Sequence, residues 1–103
     1  MSKSDKIKKT FRDSSTWKKF RHEMVVRDKV DYISGSRLLK GCQCHHLDLN
    51  PENYKNLNPE NFIMLNRNTH TFLHWIWTYY KKDKGILKRI EIVLEKMCKL
   101  NIK

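Results

Sequence analysis

Apolar positions fall into patches of different period along this chain. Trp17, Phe20, Met24 and Val25 recur at helical offsets. That spacing predicts a helix from about Ser15 to Lys29 with one face toward a core. Asp13, Ser14 and Ser15 offer its N-cap. Residues 30–40 have no period, and Gly35 between Ser34 and Ser36 signals a turn. Cys42 to Leu47 reads as a short strand. Phe62 to Leu65 reads as a second, and one loop between them predicts an antiparallel pair. That loop repeats itself as Asn50-Pro51-Glu52-Asn53 and Asn58-Pro59-Glu60-Asn61. Its prolines exclude a central strand and favour turns.

Asn66 or Asn68 can cap a next helix running to about Lys82. Phe72, Ile76 and Tyr79 form one stripe on it, and Leu73, Trp77 and Tyr80 another. Apolar residues on several sides predict burial on more than one side. Gly85 breaks the chain. Ile86, Ile90, Val93, Leu94 and Met97 then define a last helix, about Ile86 to Leu100, with a plain core face. The expected architecture is α+β, with an N-terminal helix, a two-stranded hairpin and two further helices, in one domain spanning 1–103.

Charge changes this picture. The net charge is +11. Residues 1–21 carry eight Lys/Arg against two Asp, and residues 81–103 carry eight against three acids, while the middle is balanced. Two basic ends around a neutral centre suit a polyanion, because each neutralised phosphate releases a counterion. Residues 1–10 are expected to be a frayed basic arm that orders on DNA. No apolar run approaches a membrane span. The basic, polar start lacks a signal-peptide pattern, so a cytoplasmic protein is expected. Three cysteines do not make a disulfide framework.

The chemistry concentrates between Cys42 and His74. His70 and His74 are four apart on the expected helix and share one face. Two imidazoles so placed can share one metal ion. His45 and His46 are adjacent on a strand, so they point to opposite faces. A metal-dependent nuclease needs such a division: one group on the ion, another to take a proton from water. Asn61, at the head of the second strand, can hold a general-base histidine in one tautomer and orientation. His22 falls off the core face and reads as a surface histidine.

These residues resemble the HNH endonuclease motif, the ββα-metal fold. Its pattern is Asp/His-His on a first strand, Asn at the second strand, and one or two His on the helix. Here His46 to Asn61 spans 15 residues, Asn61 to His70 spans 9, and His70 to His74 spans 4. The spacing resembles most the branch with three histidine ligands found in bacterial nuclease toxins. Trp17-Lys18-Lys19-Phe20-Arg21 and Arg27-Asp28 resemble the lead-in helix of free-standing members. The resemblance implies that His45, His70 and His74 hold one divalent ion, whether Mg²⁺, Mn²⁺, Ni²⁺ or Zn²⁺. It implies that His46 is the general base and that Asn61 orients it. It implies hydrolysis of duplex DNA, by nicking or double-strand cutting, in a phage or mobile-element setting such as homing. Arg12, Lys18, Lys19, Arg67, Lys81 and Lys82 are the expected DNA contacts, and Arg67 sits where a helix N-terminus already favours phosphate.

The sequence departs from many free-standing members in one respect. Tyr32 to Gly35 and Asn66 to Thr69 stand where those carry Cys-x-x-Cys pairs for structural zinc. No zinc of that type is expected, and the aromatic core must hold the fold. A second reading stays open. Cys42, Cys44, His70 and His74 could form a closed zinc site in a non-enzymatic nucleic-acid-binding module.

Overall fold

A computed structural model describes residues 3–102. It is an α+β fold, with four α-helices and one two-stranded antiparallel hairpin among the described residues. In chain order these are α1 (Lys3–Arg12), α2 (Ser15–Asp28), β1 (Gln43–His46), β2 (Phe62–Leu65), α3 (Arg67–Tyr80) and α4 (Ile86–Asn101). Contacts divide the chain into a first unit up to His70 and a second from Thr71, and the division falls inside α3. No helix among the described residues is long and apolar enough to cross a membrane.

In the first unit, α2 starts as its sequence predicts. The Ser14 hydroxyl accepts the Trp17 N–H at 3.2 Å, a cap worth about 1 kcal/mol. The helix ends at Lys29, which turns left-handed and donates its N–H to the Val25 carbonyl. Between those ends Trp17, Phe20 and Met24 are buried, as their spacing requires. They pack with Cys42, Phe62 and Met64 into one core. Phe20 meets Phe62 edge-on at 4.8 Å between ring centroids, the arrangement aromatic quadrupoles prefer.

The strands pair as expected, with Cys44 opposite Met64, His45 opposite Ile63 and His46 opposite Phe62. Alternation therefore sends Cys44 and His46 to one face and His45 to the other. The paired strand is shorter than the sequence suggests, since Cys42 and Leu47 lie just outside it. The internal repeat becomes two 3-10 turns, Pro51–Asn53 and Pro59–Asn61, capped by the side chains of Asn50 and Asn58. Arg27 clamps the second turn to the sheet. Its guanidinium donates to the carbonyls of Pro59 at 2.7 Å and Phe62 at 2.8 Å.

Three sequence expectations are corrected. The stretch expected to fray, residues 1–10, is helical from Lys3 onward, while Met1 and Ser2 lie outside the described residues. Phe11 gives that helix an anchor, because its ring packs at 5.8 Å from both Trp17 and Tyr54. In the second unit, α3 is not buried on several sides. Among its residues only Ile76 is buried, and Phe72, Trp75, Trp77 and Tyr79 are exposed. Likewise α4 forms where expected but buries none of its residues, and Val93, Leu94 and Met97 stay exposed. A helical apolar period fixes which side chains share a face; it does not supply the surface that covers them.

Candidate metal centre

His45 leaves β1 on the face opposite the aromatic core, and the residue is 8% exposed. His70 comes from the first turns of α3, where its N–H donates to the Asn66 carbonyl at 2.9 Å. His70 Nε2 stands 3.1 Å from His45 Nδ1. Two nitrogens of one tetrahedral ion at 2.0–2.1 Å are separated by about 3.3 Å. The pair already has nearly that spacing. His74 follows one turn later on α3. Ligand-capable nitrogens of His45, His70 and His74 all lie within 4.8 Å of one another. Among the described residues this is the one group of three or more His, Cys, Asp or Glu side chains close enough together to hold a metal ion. Burial grades across it, from His45 buried through His70 half-buried to His74 exposed. Three imidazoles, one of them exposed, are a donor set that leaves a coordination position for water or substrate. Their chemistry favours transition ions over Mg²⁺.

The cysteines stand apart from this group. Cys44 is on the other strand face, packed against the core. Burial pushes its thiol up to about 12. Cys42 is buried, and its carbonyl accepts from the Arg21 guanidinium.

His46 sits half-buried in an aromatic stack. The Trp17 ring is 5.7 Å from it at 9°, and the Tyr54 ring is 4.7 Å from it at 13°. His46 Nε2 lies 3.2 Å from the Tyr54 carbonyl. A carbonyl only accepts, so Nε2 carries the proton and Nδ1 is left with a lone pair. Burial pushes the His46 pKa down, against the upward pull of that carbonyl, and the net shift is downward. The ring is therefore neutral at neutral pH.

Asn61 ends the second 3-10 turn, and its carbonyl accepts the N–H of Leu47, the residue after His46, at 2.8 Å. The contact beside His46 is made by Asn61 backbone. Its sequence twin Asn53 does something else, donating through its side-chain amide to Asp48 at 2.8 Å.

The expected DNA contacts lie on several elements. Arg12 ends α1, Lys18 and Lys19 lie on α2, Arg67 opens α3, and Lys81 and Lys82 follow it; all six are exposed. His22 is exposed, as expected. Two residues of this region carry no signal in the sequence. Tyr54 is hidden in a loop, one position after the first Asn-Pro-Glu-Asn. Asp31 lies in a stretch without period. Comparison with protein-family models, with characterised proteins and with solved structures finds no match.

Proposed function

We propose that this chain is a metal-dependent DNA endonuclease of the ββα-metal type. The observation that carries the reading is the convergence of His45, His70 and His74 within 4.8 Å, with His74 exposed. His46, next to His45 in the chain and with its tautomer set by the Tyr54 carbonyl, supports it. So does the net charge of +11.

A divalent ion held by the three imidazoles would neutralise phosphate charge and stabilise the leaving oxygen. The chain's own residues do the rest. His46 accepts through Nδ1 the proton of the attacking water. The water oxygen bonds to phosphorus, and the bond from phosphorus to the 3′ oxygen breaks. The departing 3′ oxygen takes a proton from solvent water, and the products are a 5′-phosphate and a 3′-hydroxyl. Proton loss to the Tyr54 carbonyl is impossible, so His46 has one working nitrogen. The Trp17 and Tyr54 rings hold its plane, and the Asn61 carbonyl holds the strand end next to it. Arg67 and the lysines of α2 supply backbone contacts.

The test is supercoiled plasmid incubated with purified protein and Mg²⁺, Mn²⁺, Ni²⁺ or Zn²⁺ in turn. Relaxation or linearisation that needs an ion and stops with chelator supports the reading. Intact plasmid with every ion, under conditions where the protein binds it, overturns it.

A further inference from the structure

Two grooves adjoin along α1, and both are built within the first unit. One, of about 420 Å³, lies between α1 and the first 3-10 turn, with Lys8, Tyr54 and Lys55 in its wall. The other, of about 380 Å³, runs on past Lys6 and Phe11. Ile7 and Lys55 line both, so the two make one cleft. Lys6, Lys8 and Lys55 face a single lining acid, Glu52. None of the three lysines forms an ion pair among the described residues. Lys8 Nζ sits 5.2 Å over the Tyr54 ring, which fixes one cation at the cleft wall.

We propose that this cleft is a DNA-backbone subsite separate from the histidine cluster, taking phosphates on Lys6, Lys8 and Lys55. It rests on the nuclease reading for its choice of polyanion. Concentrated cationic charge over an apolar floor is what a groove that tracks a nucleic-acid strand requires. The juxtaposition with Tyr54 gives it a second consequence. Tyr54 lines the cleft, and the same residue stacks on His46 and holds its Nε2 proton. A strand seated there braces the residue that positions the general base.

The experiment compares two variants of equal charge loss by anisotropy of a labelled DNA duplex over a salt series without metal. One is Lys6→Gln/Lys8→Gln/Lys55→Gln in the cleft. The other is Lys88→Gln/Lys96→Gln/Lys99→Gln on α4. Five of the six lysines are exposed and Lys8 is half-buried, and circular dichroism confirms folding of both proteins. The cleft variant is expected to bind at least 10-fold more weakly. Its plot of log K against log salt is expected to flatten by about 0.9 for each phosphate no longer neutralised, with a smaller change in the α4 variant. An unchanged slope in the cleft variant, or an equal weakening in the α4 variant, overturns the subsite. The expected pattern in a protein that cuts no plasmid with any ion supports the subsite and defeats the nuclease reading alone.

Discussion

The carboxylate of Asp31 accepts the backbone N–H of Asn66 at 2.7 Å, across 35 residues of chain. It also accepts the N–H groups of Ile33 at 2.9 Å and Ser34 at 2.8 Å, and the Thr69 hydroxyl. Its side chain is fully buried. The two segments so joined, Tyr32 to Gly35 and Asn66 to Thr69, contain no cysteine. One carboxylate staples the start of α3, and hence His70, to the loop after α2. Removing it takes the acceptor from three part-buried backbone N–H groups, those of Ile33, Ser34 and Asn66. Asp31→Ala is expected to cost about 2–3 kcal/mol, because each donor left unsatisfied keeps part of its desolvation penalty. Urea unfolding at neutral pH measures it, and a change below about 0.5 kcal/mol would show that the staple is dispensable.

The same group predicts an acid limb. Burial pushes the Asp31 pKa up, but bonds from the Ser34 backbone, the Thr69 hydroxyl and the Asn66 backbone pull it down further, to about 2 from an ordinary 3.8. A folded pKa below the unfolded one means stability that is fully present above about pH 4. It is lost as pH falls toward 2. Wild-type stability should therefore drop across that window more steeply than that of Asp31→Ala. Parallel curves for the two proteins would remove Asp31 from the acid response.

The histidine cluster predicts one divalent ion per chain. Titration calorimetry should give unit stoichiometry, with Ni²⁺ or Zn²⁺ bound more tightly than Mg²⁺. His70→Ala and His45→Ala should each weaken binding by well over 10-fold. Cys42→Ser with Cys44→Ser should bind the ion as wild type does. Metal lost in the cysteine double variant and kept in His70→Ala would reverse the assignment in favour of a structural zinc site.

His46 should separate chemistry from binding. His46→Ala keeps three imidazoles for the ion and every basic residue for DNA. Its single-turnover cleavage rate should fall by a factor of about 10²–10⁴, the usual contribution of a general base. Metal affinity should stay within a few-fold of wild type. A variant that cleaves at the wild-type rate would assign His46 to the aromatic stack alone.

The elements themselves are legible in the sequence because each rests on a local signal. Ser14 and the spacing of Trp17, Phe20 and Met24 mark α2. The two Asn-Pro-Glu-Asn repeats mark twin turns. His70 and His74 share a face through helix geometry alone. Other features depend on distant partners. Asp31 is a polar residue in an unpatterned loop until Asn66 and Thr69 fold against it. Tyr54 acts through a carbonyl, which no side-chain pattern records. The burial expected of α3 and α4 fails for a related reason. Trp75, at 53% exposure, and Val93, at 54%, lie on regular helices. Periodicity reports the regularity and is silent about a covering surface. The helix at Lys3–Arg12 is obscured by its charge, and Phe11 is the residue that anchors it.

Cleavage should depend on metal through His74, the exposed member of the cluster. The measurement is the initial rate of supercoiled plasmid cleavage against divalent-ion concentration, for wild type and His74→Ala. The wild-type rate should saturate with the ion and vanish with chelator. His74→Ala should need more than 10-fold higher ion for half-saturation, since a direct ligand matters at least as much as the outer partners that tune such sites. Cleavage that proceeds in chelator, or the same half-saturation in both proteins, would contradict a nuclease built on His45, His70 and His74.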